Sequence, residues 1–248
     1  MINFIVNLVN QQAVFAVVVL GILAYIIALV VAIVGHELSH GFIAYKNGDL
    51  TAKFMGRLSL NPVKHFDPMG FLLMFLVGFG WAKPVPIDPR NFKNYKKGMI
   101  MTSLAGVTFN FLVAFISSLL FAIFTKATEN LVFTEQNALY CFLMFISLLL
   151  QLSITFNLTL MAFNLLPIYP LDGFRVIETL AKPDNAYVNF MYRYGSYVML
   201  GLLLISFVLG RFIPQLDLLT NYIVGVQKAV SWMFDKIFGL TFGAFGWV

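Results

Sequence analysis

Residues 30 to 45 read VVAIVGHELSHGFIAY, and this stretch restricts the fold more than any other. The uncharged apolar run leading into it, residues 13 to 35, is 23 long. At about 1.5 Å per residue that is enough to cross roughly 30 Å of hydrocarbon. The helix is expected to continue to about Lys46, where Asn47-Gly48-Asp49 supplies a stop. It therefore carries two imidazoles and a carboxylate where a single ionisable group costs roughly 2.5–3.5 kcal/mol even on insertion scales. Something specific must offset that cost.

The rest of the chain fits a membrane setting. It is 248 residues long, 60% hydrophobic and 11% charged, against about 25% charged for a soluble domain. Sixteen Lys and Arg exceed eleven Asp and Glu, but no basic block interleaved with aromatics points to nucleic acid. Cys141 is the only cysteine, which excludes an intramolecular disulfide and a Cys-based metal site. The first apolar run ends at HELSH and not at a small-residue cleavage site, so it reads as a retained span.

Further long apolar runs fall at about 98–124, 138–166 and 190–212. The segment 218–248 reads either as an interfacial amphipathic helix or as another span. Residues 51 to 62, TAKFMGRLSLNP, alternate apolar and polar residues around a glycine, which predicts a short β-hairpin. The apolar part of the next segment, residues 69 to 82, would reach only about 21 Å as helix. That length suits a re-entrant segment better than a crossing. Lys46, Lys53, Arg57 and Lys64 precede it, and Lys83, Arg90, Lys93, Lys96 and Lys97 follow, so both flanks are expected on the cytoplasmic side. The expected fold is an all-α polytopic membrane protein with four to six transmembrane helices, a membrane-associated hairpin and a re-entrant segment. It forms one domain over 1–248, with a core at about 13–180.

His36-Glu37-Leu38-Ser39-His40 matches H-E-x-x-H. Residues i and i+4 share one helix face, so both imidazoles can reach a single ion while Glu37 sits beside it. With three His and four Glu in the chain, an accidental match has odds on the order of one in a thousand. Zinc suits the set, because it takes neutral imidazole and carboxylate oxygen and keeps a fourth position open for catalysis. A third ligand is needed. Asp172 follows two helix-breaking prolines in FNLLPIYPLDGFR, where unwound backbone at membrane depth must line protein or a cavity. His65 and Asp67 are its rivals. Asn110, in AGVTFN, falls at the depth of the two histidines if residues 69–82 do not cross. It either bonds a neighbouring helix or faces the site.

In their order and spacing, HELSH, LNPVKHFDPMG, GWAKPVPIDPRNFKN, AGVTFN and NLLPIYPLDG resemble the site-2 proteases, zinc metalloproteases that cut peptide bonds inside membranes. The resemblance spans roughly residues 30 to 180 and is to the short bacterial subgroup without PDZ or CBS modules. It implies one zinc ion on His36, His40 and Asp172, and Glu37 as catalytic base. It also implies that Asn110 steadies substrate or the oxyanion. The family's usual Gly-Pro is here Gly106-Val107. The expected substrate is a single-span membrane protein or remnant peptide, cut in the inner membrane by a site nearer the cytoplasm. Residues 51–60 are expected either to offer a strand edge to unwound substrate or to pack the site as a hairpin, and residues 83–97 to form a mouth or lid, or a static interfacial collar. The competing readings are a CAAX-type membrane protease, whose third ligand would be a downstream glutamate although Glu129, Glu135 and Glu178 sit in no such motif, and a metal transporter or non-catalytic scaffold.

Overall fold

The computed structural model describes residues 15–77, 80–131, 138–210 and 212–238. Four helices among them are long and apolar enough to cross a membrane: α1 (Phe15–Lys46), α4 (Tyr95–Thr128), α5 (Ala138–Asn164) and α7 (Ala186–Leu204), whose apolar stretch runs on to Val208. Between them lie the single turn α2 (Thr51–Phe54), the ten-residue α3 (Pro68–Val77) and the nine-residue α6 (Asp172–Leu180). The last helix, α8 (Leu218–Phe238), lies along α5, where Gln227 Nε2 donates to Thr159 Oγ1 at 2.7 Å.

α1, α4 and α5 pack pairwise against one another and form the centre of the molecule. Lipid removes most of the hydrophobic gain from helix association, so close approach through small residues and buried polar contacts must supply the cohesion. The sequence of α1 provides both. Ala24, Ala28 and Ala32 are fully buried at a spacing of four, and His36 and His40 continue that buried stripe. Val19, Leu23, Ile27 and Val31 face outward on the opposite side. On the other flank of the bundle, Phe121, Ile154, Leu158, Met161 and Phe234 join α4, α5 and α8 in one apolar cluster.

The expected hairpin at 51–60 is absent. Thr51–Phe54 is a helical turn, and the only strand-like pairing among the described residues is an isolated antiparallel bridge between Phe66 and Ala82. The local cause is Asp49, whose Oδ1 accepts from Thr51 N and Thr51 Oγ1 and so starts a turn instead of a strand. Gly56, at φ +63°, then reverses the chain. A short alternating run cannot specify a strand when its neighbours cap a helix. The segment 69–82 is helical over Pro68–Val77, about 15 Å, with residues 78 and 79 outside the described set. Its two flanks meet: Lys83 N donates to His65 O at 2.9 Å beside the Phe66–Ala82 bridge.

Asp49 also ties the end of α1 to the chain after this excursion. Besides Thr51, it accepts from Asp88 N at 2.8 Å and Asn91 Nδ2 at 3.0 Å. Burial alone would raise its pKa, but these hydrogen bonds outweigh that and hold it below the ordinary carboxylate value. A carboxyl depressed on folding adds stability that is fully present above its unfolded pKa and is lost progressively as pH falls from there through the lower folded value. Asp49→Asn is therefore expected to cost about 2 kcal/mol at neutral pH, the scale of hydrogen bonds to a charged group. The deficit should shrink below about pH 4; thermal melts in detergent at pH 7 and pH 3.5 measure it.

Candidate metal and catalytic site

His36 and His40 lie one turn apart near the C-terminal end of α1, with Glu37 beside them. α4 crosses this face with a stripe of its own at the same spacing: Thr102, Gly106 and Asn110. Gly106 is required there, since a Cβ would fall 2.5 Å from His36 Cε1. The candidate third ligand arrives from the break after α5. Pro167 ends that helix, the chain turns, and Asp172 opens α6 in its first turn. Gly173 allows the start of α6 to lie against the carbonyls of Leu165 and Leu166, which a side chain would obstruct.

The outcome is a tight group. Asp172 Oδ2 is 3.3 Å from His36 Nε2 and 3.2 Å from His40 Nε2, and the two Nε2 atoms are 3.0 Å apart. The surrounding bonds fix the tautomers. His40 Nδ1 donates to the carbonyl of Thr102 at 2.7 Å, an acceptor that cannot reverse roles. Asn110 Nδ2 donates to Ala32 O at 3.2 Å and to Asn157 Oδ1 at 2.7 Å. Its Oδ1 must therefore face His36 and accept from Nδ1 at 2.6 Å. Both Nε2 atoms then present lone pairs to Asp172 Oδ2, which has no hydrogen-bond donor among the described residues. Three acceptors converging in a buried pocket repel one another unless a cation sits among them. Two neutral imidazoles and a carboxylate suit zinc in donor type, and three protein ligands leave a position open. His36, His40 and Asp172 are also the one His/Cys/Asp/Glu group among the described residues whose ligand atoms lie within 4.8 Å of one another.

Glu37 stands at the edge of this group. Val85 N donates to its Oε2 at 2.9 Å, and Pro84 and Pro86 make this the single N–H of that tripeptide. The extended segment 83–88 is pinned at one end by Arg57 Nη2 on Lys83 O (2.7 Å) and at the other by Asp49 on Asp88 N. A cavity of about 280 Å³ lies between this segment, α1, α4 and the α5–α6 break.

The rivals for third ligand have other work. His65 donates through Nε2 to Ser59 O at 2.7 Å, and Asp67 Oδ1 accepts from Gly70 N at the start of α3. Of the glutamates a CAAX-type site would need, Glu129 pairs with Lys126, Glu178 accepts from the Tyr192 hydroxyl, and Glu135 lies outside the described residues. The expected oxyanion role of Asn110 does not fit its surroundings. It is fully buried, both amide hydrogens are bonded to Ala32 and Asn157, and its oxygen holds His36. The asparagine that lines the cavity is Asn164, the last residue of α5, whose Nδ2 donates one hydrogen to Leu160 O at 3.0 Å. Neither Asn164 nor Asn157 stands out in the sequence, although an asparagine eight residues before Asp172 and another inside an apolar helix are both visible signals.

Four membrane-length helices together with an H-E-x-x-H and aspartate cluster define a membrane metalloprotease. The chain belongs to peptidase family M50, which it matches over residues 24–206, and is a zinc metalloprotease. It is 41% identical over 176 residues to "Putative zinc metalloprotease YwhC" of Bacillus subtilis (strain 168), covering 71% of this chain and 77% of that protein. It is 26% identical over 205 residues to "Putative zinc metalloprotease Rip2" of Mycolicibacterium smegmatis, covering 81% and 68%. Rip2 of Mycobacterium tuberculosis is 28% identical over 155 residues, covering 60% and 54%. No solved structure matches the chain.

Proposed function

We propose that this chain is an intramembrane endopeptidase that cuts single-span membrane proteins, or the membrane remnants of larger ones, within or next to their transmembrane segments. The observation that carries the reading is the depth of the site. His40 is six residues, about 9 Å along the helix, from the end of α1 at Lys46, so the cluster lies inside a membrane-length helix yet near its polar end. The basic residues gathered at that end, Lys46, Lys53, Arg57, Lys64 and Lys83 among them, support a cytoplasm-facing site in the inner membrane. In the same reading Pro68–Val77 is a re-entrant segment, since its flanks meet on one side and it is too short to cross.

His36, His40 and Asp172 would hold zinc, which would supply Lewis acidity to acidify water and polarise a peptide carbonyl. Glu37, with Oε2 held by Val85 N–H, has Oε1 to take the proton of the attacking water and to hand it to the leaving amine. Asn164, which spends one amide hydrogen on Leu160 O, has the other to donate to the carbonyl oxygen as charge develops there. Asn110 and the Thr102 carbonyl keep both imidazoles turned to the ion.

The test uses the full chain in detergent and an Ala/Leu single-span reporter helix with a central Gly-Asn pair flanked by a fluorophore and a quencher. Cleavage inside the helix that stops with a zinc chelator and returns with zinc is the expected result. Cleavage confined to soluble unfolded peptide, with the reporter helix left intact, would overturn the proposal.

A further inference from the structure

Six helix hydroxyls turn back onto their own helix. Ser39, Thr125, Thr128, Thr155, Thr159 and Thr179 each donate to the carbonyl four residues earlier. Thr102 does not. It is 4% exposed, and its Oγ1 has no hydrogen-bond partner among the described residues. Ser118 on the same helix shares that condition but does not line the cavity beside the cluster, whereas Thr102 does. The backbone of Thr102 is already committed, because its carbonyl fixes His40. Its side chain is thus a buried donor held beside the reacting centre with nothing to donate to, a state that costs free energy in the substrate-free protein.

A peptide drawn into this cavity arrives with the complementary deficit. An unwound transmembrane segment carries carbonyls stripped of their helical partners, and each needs a donor away from water. The wall formed by the 83–89 segment supplies few, since Pro84, Pro86 and Pro89 have no N–H and that of Val85 is spent on Glu37. We infer that the Thr102 hydroxyl is a substrate-binding group that donates to a main-chain carbonyl of the unwound substrate next to the scissile bond. This rests on the intramembrane reading above. It assigns Thr102 a bond that exists only in the enzyme–substrate complex.

The assignment separates stability from binding. Thr102→Val keeps the shape and removes the hydroxyl, so the substrate-free protein should melt at the same temperature or higher and hold its zinc unchanged. On the Glu37→Gln background, the same variant should bind the uncut Ala/Leu reporter about tenfold more weakly, the scale of one hydrogen bond. With Glu37 intact, kcat/KM should fall by a similar factor, and Thr102→Ser should restore both to within about twofold of wild type. Unchanged reporter affinity in Thr102→Val overturns the inference. So does loss of zinc from that variant, which would make Thr102 a support for His40, and so does a Thr102→Ser as impaired as the valine, which would mean packing. A wild-type protein that cuts no reporter removes the underlying reading, whereas a wild type and a Thr102→Val that cut equally remove the Thr102 role alone.

Discussion

Glu37→Gln is expected to retain one zinc per chain and to lose roughly a thousandfold in cleavage rate, the middle of the range for a general acid–base group. The change is conservative in shape. A glutamine carbonyl can still accept from Val85 N–H, so the 83–88 segment keeps its central contact as well as its anchors at Arg57 and Asp49. The ligand atoms of His36, His40 and Asp172 are untouched. Only the ability to receive a proton is gone. Glu37→Ala removes that ability too, but it also frees the one N–H between Pro84 and Pro86, so the two variants should share the loss of rate and differ in stability. Elemental zinc analysis beside reporter cleavage measures the first effect and a thermal melt the second. A glutamine variant with cleavage within tenfold of wild type would show that another group carries the proton.

The parts of this site that were legible in the sequence are those set by local geometry. A spacing of four on a helix puts His36 and His40 on one face wherever that helix goes, and a carboxylate beside a helix break at Pro167 and Pro170 has few directions open to it. Asn110 illustrates the limit. Its depth follows from the hydropathy pattern, but its function depends on Ala32 and Asn157, contributed by two other helices, and they absorb the donors an oxyanion would need. Asn164 is visible eight residues before Asp172, but that it lines the cavity follows only from how the end of α5 and the α5–α6 break pack against α1 and α4. The hairpin expected at 51–60 failed through a tertiary contact as well. Asp49 bonds Thr51 and the distant Asp88 and Asn91 together, and a turn satisfies that geometry. Alternation over a few residues could not have revealed it.

Zinc affinity is expected to fall in a fixed order across three variants, with Asp172→Ala weakest, Asn110→Leu next and Asn157→Leu closest to wild type. Asp172→Ala removes a ligand and leaves two imidazole lone pairs facing each other at 3.0 Å. Its loss should exceed the 10–100-fold typical of changes to groups that merely support ligands. Asn110→Leu should fall within that 10–100-fold range. The acceptor for His36 Nδ1 disappears, so the ring loses what holds its tautomer and orientation, and a buried N–H is left unsatisfied. Asn157→Leu acts one step further out. Asn110 keeps its bond to Ala32 O and so its orientation toward His36, but loses one of the two contacts that hold it. Chelator competition against the purified protein reads all three on one scale, independently of any substrate. Asn157→Leu binding zinc as weakly as Asp172→Ala would mean that the buried asparagines hold the helices together and not the imidazole. Asn110→Leu binding zinc as tightly as wild type would mean that packing against Gly106 alone fixes the His36 ring.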